Sequence, residues 1–234
     1  MNELVNLGII LLSGIIVASL QLPLGTLLLL YQSSLGKNVS KKTKTLVSSF
    51  ISGSLLMSFL LLATSCLLVA GLTISGTLSS PSILVLVGVL CALGIVAWFF
   101  YYKSRRTTEL WLPRKVANFI DSRAKITNDN SEAFSLGSLV VLSEVIFTAP
   151  LIILSSNSIL KLEPGYEVLT LAMFSLLSIL PLIILRIVIR SGKNVAEIQR
   201  WRLRNKSFFR IFTGLGFFVL AGFVIMFLFF GEGF

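Results

Sequence analysis

Of 234 residues, 55% are hydrophobic and only 13% charged, with a mean hydropathy of +0.93, which excludes a soluble globular domain. Twenty Lys and Arg against ten Asp and Glu give a net charge of +10, and there is no histidine, so an imidazole proton shuttle is excluded too. Whether the excess positive charge addresses nucleic acid or an anionic lipid surface is decided by where it lies along the chain.

A helix rises 1.5 Å per residue and must satisfy its own backbone in hydrocarbon, so about twenty apolar residues make one crossing. Six stretches qualify: approximately Leu4 to Tyr31, Leu46 to Leu72, Ser82 to Tyr102, Ala133 to Ser156, Tyr166 to Ile189 and Phe208 to Phe230. The first has neither a basic flank nor a small-residue cleavage site and is expected to be a retained span.

The connections between spans sort the charge. The first holds Lys37, Lys41, Lys42 and Lys44, and the third runs from Lys103 to Lys125 with seven basic residues. The fifth, with its flanks, runs from Arg186 to Arg210 with eight, so nineteen of the twenty basic residues fall on one side and only Lys161 on the other. By the positive-inside rule the odd-numbered connections are cytoplasmic and both termini non-cytoplasmic. The basicity then belongs to a membrane surface, and no nucleic-acid partner is expected. The expected architecture is an all-α, polytopic protein of the cell (inner or plasma) membrane. Residues 1–102 form a first three-helix unit, 103–132 a cytoplasmic basic connection and 133–234 a second three-helix unit, related to the first as an inverted repeat. Gly14 lies seven residues before Gln21 and Gly137 seven before Glu144, each pair followed by a proline, Pro23 or Pro150.

In the third connection Leu112, Val116, Phe119 and Ile120 recur at helical spacing among charges, which predicts an amphipathic helix lying on lipid headgroups or meeting a partner. Pro113 suits its first turn, and Asp129 or Asn130 followed by Glu132 signals the start of the fourth span.

Glu144 is the one ionisable side chain deep inside a predicted span, about eleven residues from either end. A charged carboxylate there is costly unless protonated, paired or hydrated, so it is expected to face the bundle interior, either carrying a proton or ion or holding helices together. Gln21 and Ser19 form the matching polar point of the first span, with Pro23 beside them. Pro23, Pro150 and Pro181 each remove a helical hydrogen bond and mark expected breaks. The candidate site is thus Glu144, Ser143, Gln21, Ser19, Pro23 and Pro150. Arg186, Arg190 and Trp201 are expected at the lipid headgroups, by snorkelling or by holding an anion. Ser49, Gly53 and Ser54, and Gly214, Gly216 and Gly222, are expected to permit close helix packing. No catalytic motif is present, no enzyme is expected, and Cys66 and Cys91 lack metal-ligand spacing, so neither cofactor nor metal is expected.

Three stretches carry a family resemblance: Ala18-Ser19-Leu20-Gln21-Leu22-Pro23-Leu24, Ala133-Phe134-Ser135-Leu136-Gly137-Ser138-Leu139, and the end from Pro181 through Gly192 and Trp201 to Gly214. In these the chain resembles the LysE superfamily of six-helix exporters, and within it the GAP or Sap-like (sulfolipid-addressing) proteins. Where that family has Asn-Pro in the fourth span this chain has Ser143-Glu144. The resemblance implies export of a small, lipid-linked or amphipathic solute. Two alternatives stand beside it: a non-transporting scaffold subunit, and a thiol-redox carrier of the CcdA or DsbD type, disfavoured because spans one and four lack cysteine. Membrane lipids are expected partners, with a homo-oligomer or a protein partner left open.

Overall fold

A computed structural model describes residues 2–20, 22–34, 42–73, 77–99, 114–191 and 195–230. These residues form ten helices and no strand: α1 (Asn2–Ser19), α2 (Leu22–Ser34), α3 (Lys42–Leu72), α4 (Ser80–Phe99), α5 (Arg114–Ile126), α6 (Asn130–Ser143), α7 (Val145–Ile159), α8 (Glu167–Arg190), α9 (Val195–Arg204) and α10 (Lys206–Phe230). Four of them, α3, α4, α8 and α10, are long and apolar enough to cross a membrane. Two bent pairs raise the number to six if each is one span: α1 with α2, at 40°, and α6 with α7, at 77°.

Two of the four straight helices have an apolar outer face. Leu176, Leu180, Ile184 and Ile187 form an exposed stripe along α8, and Leu215, Val219 and Met226 one along α10. Water would not tolerate apolar faces of this extent, whereas lipid tails would. Such helices are compatible with an integral, multi-pass membrane protein.

The first predicted span is α1 and α2, interrupted between Ser19 and Leu22, and Pro23 sits in the first turn of α2, where a missing N–H costs nothing. The fourth predicted span is divided at Glu144, six residues before the proline expected to break it. Pro150 lies inside continuous α7 and Pro181 inside continuous α8. At the break the Ser143 hydroxyl donates to the Val140 carbonyl at 2.6 Å, and the Glu144 N–H turns to Val141 at 3.2 Å. Side-chain competition for a helical carbonyl of this kind bends helices. Asp129 is the N-cap of α6 as expected, but without a side-chain cap bond; Glu132 instead accepts from the Asn128 N–H at 3.4 Å.

The most extensive helix interface joins α3 to α6, through the same pattern on each: Phe50-Ile51-Ser52-Gly53-Ser54 and Phe134-Ser135-Leu136-Gly137-Ser138. Gly53 lies against the Phe134 carbonyl and Gly137 against the Phe50 carbonyl, so closely that a Cβ on either would stand 2.1 Å from oxygen. The Ser54 hydroxyl donates to the Gly137 carbonyl at 3.2 Å and the Ser138 hydroxyl to the Gly53 carbonyl at 3.1 Å. Further along, Ser58 shares a cavity with Glu144, and Cys66 packs in one cluster with Ile152. Positions rise together, so α3 runs parallel to α6 and then α7, and the first turns of α3 and α6 lie at one end of the bundle.

Gly214 and Gly216 likewise make close contacts, with Trp98 and Ile16, whereas Gly222, expected to do the same, faces open space. In α5 the apolar face is not spread on lipid headgroups as expected. Ile120 and Ala124 are buried in the core, because α2 and α6 cover them, and among the described apolar side chains of α5 only Phe119 and Ile126 stay exposed. Leu112 and Pro113 lie outside the described residues.

Candidate functional site

The sequence singles out Glu144 by its depth, and the fold explains how it can sit there. It occupies the junction of α6 and α7 with φ −86° and ψ 0°, between two helices of 14 and 15 residues. Neither reaches more than about 23 Å, too short to cross the roughly 30 Å of hydrocarbon alone. Its carbonyl accepts from the N–H groups of Phe147, at 2.9 Å, and Thr148, at 3.1 Å, so the second helix starts on the residue that ends the first. The side chain is 3% exposed.

Glu144 borders a cavity of ≈ 30 Å³ whose polar lining also includes Ser54, Ser58, Thr148 and Ser178. About 10–15 Å³ of such space holds one water molecule, so the cavity has room for one or two. Pro23 and Pro181 line it too. Pro23 begins α2 just after the first break, and Pro181 has no N–H to donate to the Leu177 carbonyl. Both bent helix pairs therefore reach one cavity, from opposite halves of the chain.

Three of the other expected site residues, Ser19, Ser143 and Pro150, do not line this cavity. Gln21 lies outside the described residues. Ser19 is buried but faces α10, its hydroxyl 2.9 Å from that of Thr213 and donating to the Ile16 carbonyl at 2.6 Å. Ser143 is half-buried and spends its hydroxyl on Val140, while Pro150 is buried within α7, away from the cavity lining. Arg186 and Arg190 are exposed at the end of α8, and Trp201 is half exposed, edge-on to Phe209.

No family model, curated protein or solved structure matches the chain.

Three features were not read from the sequence. Thr148 stands four residues from Glu144 and so shares its helical face, a spacing that could have found it. Beyond it α7 carries Ser155, Ser156, Asn157 and Ser158, all fully buried. The Asn157 side-chain carbonyl accepts from the Leu78 N–H at 2.7 Å, but the Ser155 and Ser158 hydroxyls and the Asn157 amide nitrogen have no partner among the described residues. Arg202 is 7% exposed and packs on Gly25. The two cysteines are free and in separate clusters, Cys66 with Leu62 and Ile152, and Cys91 beside Leu90.

Proposed function

We propose that the chain is a secondary transporter or exporter of the LysE type, resembling the GAP or Sap-like proteins, that moves a small amphipathic or lipid-linked solute across the cell membrane. The observation that carries this is the meeting of two interrupted spans at one cavity containing a single buried carboxyl, Glu144. Irregular backbone at membrane depth is tolerated where it lines a cavity, and intramembrane carboxyls mark ion and proton pathways.

An inverted 3+3 repeat fits the packing. Gly14 meets Leu177 of α8, and Gly137 meets Phe50 of α3; each glycine lies seven residues before the polar residue at its own break, and each packs on the middle span of the other half. The basic connections are placed in the cytoplasm, leaving both termini outside. A cavity of ≈ 30 Å³ is far smaller than any such solute, so transport requires the bent spans to move apart at their breaks, which serve as hinges.

The test uses the purified chain in proteoliposomes, with fluorescent fatty acid and lysophospholipid as probes and an imposed pH gradient. Wild-type transport is expected to follow the gradient, and Glu144→Gln to transport without pH dependence or not at all. The cavity's small size favours one rival, a scaffold subunit. That reading holds if wild type moves neither probe, whereas transport whose pH profile Glu144→Gln leaves unchanged would refute Glu144 as the coupling group.

A further inference from the structure

Two apolar clusters flank the contact between α1 and α7. Ile9 and Leu151 belong to one, Ile10 and Ile152 to the other. Ser13 stands four residues after Ile9 and three after Ile10, and Ser155 stands four after Leu151 and three after Ile152. Residues three and four apart share a helical face, so each serine falls on the line between its two neighbours, where the helices meet. The same spacing counted backwards puts Asn6 and Thr148 on that line.

The two helices run antiparallel, since Val17 lines the Glu144 cavity with Thr148 while Ile10 clusters with Ile152 and Ile159. From the cavity toward the end of the bundle that holds Asn2, the line therefore reads Thr148, Ser13, Ser155 and Asn6, from alternate helices. The polar residues of each helix are about 10 Å apart, and Ser13 lies about 6 Å beyond Val17, so successive groups are about 5 Å apart along the bundle. One water molecule making two hydrogen bonds of about 2.8 Å spans that distance.

A serine in a membrane helix commonly donates to the carbonyl one turn back, as Ser156 does to Ile152 at 2.8 Å. Ser13 and Ser155 do not. Both are fully buried and neither hydroxyl has a partner among the described residues, so each is turned off its own backbone and into the seam between the helices. Asn6 is buried with them. The Asn157 amide is not on this line, and its carbonyl holds Leu78 just before α4.

A metal cation needs about six oxygens converging on one point, which uncharged side chains strung out at this spacing do not supply. Water matches the line, because it both donates and accepts, as each hydroxyl does. A file of such groups passes a proton along without holding charge, and at its inner end Glu144 is the one titratable side chain lining the cavity.

We infer that the seam between α1 and α7 is a water file that carries protons between Glu144 and the end of the bundle holding Asn2. This rests on Glu144 as the coupling group of the proposed transporter, and adds the route by which its proton arrives. Water need occupy the file only during the hinge motion that transport requires.

Silver ion follows water through narrow paths and is captured by thiols. The full chain carrying Cys91→Ala keeps Cys66, buried in the cluster of Ile10 and Ile152, as an internal reference, and receives Ser13→Cys or Ser155→Cys, both nearly isosteric. In detergent micelles, silver is added for timed intervals, and the thiols that remain are counted by maleimide labelling after denaturation. Both seam thiols are expected to react at least about tenfold faster than Cys66, because an ion leaves water for hydrocarbon only at a cost well above that factor. Position 155 should react ahead of position 13. Seam thiols no faster than Cys66 overturn the inference while leaving pH-dependent transport untouched, and the reverse order overturns the route, since silver would then arrive through the cavity. In proteoliposomes, Ser13→Ala with Ser155→Ala should lose the part of uptake driven by the pH gradient. Full retention of that part means that the seam carries no protons to Glu144. Silver access combined with a Glu144→Gln pH profile like that of wild type removes Glu144 as the coupling group, and with it the proton role of the file.

Discussion

Substituting Gly137 by alanine adds one methyl group where α3 and α6 touch. That methyl would stand 2.1 Å from the Phe50 carbonyl oxygen, and side-chain Cβ atoms essentially never come within 3.0 Å of a neighbour, so the helices must part by about 0.9 Å. The obstacle is backbone on a buried helix, which no rotamer change relieves. Parting by that much stretches the Ser54–Gly137 and Ser138–Gly53 hydrogen bonds, now 3.2 and 3.1 Å, to about 4 Å, beyond bonding range. Both hydroxyls keep a carbonyl on their own helix, Phe50 at 3.0 Å and Phe134 at 3.2 Å, so neither is orphaned and each lost bond is worth only about 0.6 kcal/mol. Overpacking adds about 1–3 kcal/mol, for a total of about 2–4 kcal/mol. Equilibrium unfolding in mixed detergent micelles measures this, with Gly88→Ala and Gly222→Ala as controls because both face open space. The controls should stay within about 0.5 kcal/mol of wild type. Because one separation relieves both clashes, Gly53→Ala with Gly137→Ala should cost less than the two single costs together. A Gly137→Ala protein as stable as the controls would refute the parallel, glycine-to-carbonyl contact.

Burial pushes the Asp121 carboxyl above its ordinary 3.8, with Lys125 pulling it part of the way back. A raised folded-state value means stability is greatest below 3.8 and declines as pH rises past it, so Asp121→Asn should raise the unfolding temperature slightly at pH 7 and not below pH 3.8. The gain should be small, since Asp121 is only half-buried, and a larger gain at low pH than at neutral pH would contradict the sign. Ser155→Ala and Ser158→Ala each remove a fully buried hydroxyl without a partner among the described residues, and stability should be unchanged or rise by about 1 kcal/mol; a loss beyond about 1 kcal/mol would show that these hydroxyls bind something.

The spans were legible because hydrocarbon imposes a length, and each of the six predicted stretches coincides with a helix or a bent pair within a few residues. The breaks were legible only where they follow from covalent structure. Pro23 marks the first, since its ring cannot sit within the preceding turn, but the fourth depends on the Ser143 hydroxyl competing for the Val140 carbonyl, a choice open to any serine in a helix. Glu144 could be found because its charge is anomalous at that depth. Arg202 could not, because it stands among similar arginines and what distinguishes it is the absent side chain of Gly25, far off in the chain. The amphipathic α5 was readable as a helix, yet its periodicity does not say whether α2 or lipid covers the apolar face.

A carboxyl placed at a helix break differs from one placed in mid-helix. In a straight helix the backbone is saturated and only side chains can solvate the acid, whereas beside the Glu144 break the cavity admits one or two waters among Ser54, Ser58, Thr148 and Ser178. If that polar setting is what holds Glu144, the shape of the side chain should matter less than its capacity for hydrogen bonding. Glu144→Gln should therefore be close to wild type in stability, while Glu144→Leu, of similar bulk, should lose about 1–3 kcal/mol by setting methyl groups against hydroxyls and water. Apolar packing predicts the reverse order, because well-packed hydrocarbon often matches or exceeds a buried polar group in stability. Unfolding of the two variants in the same micelles decides between them, and a leucine variant at least as stable as the glutamine one would make Glu144 a tolerated carboxyl rather than the hydrated centre of the two bent spans.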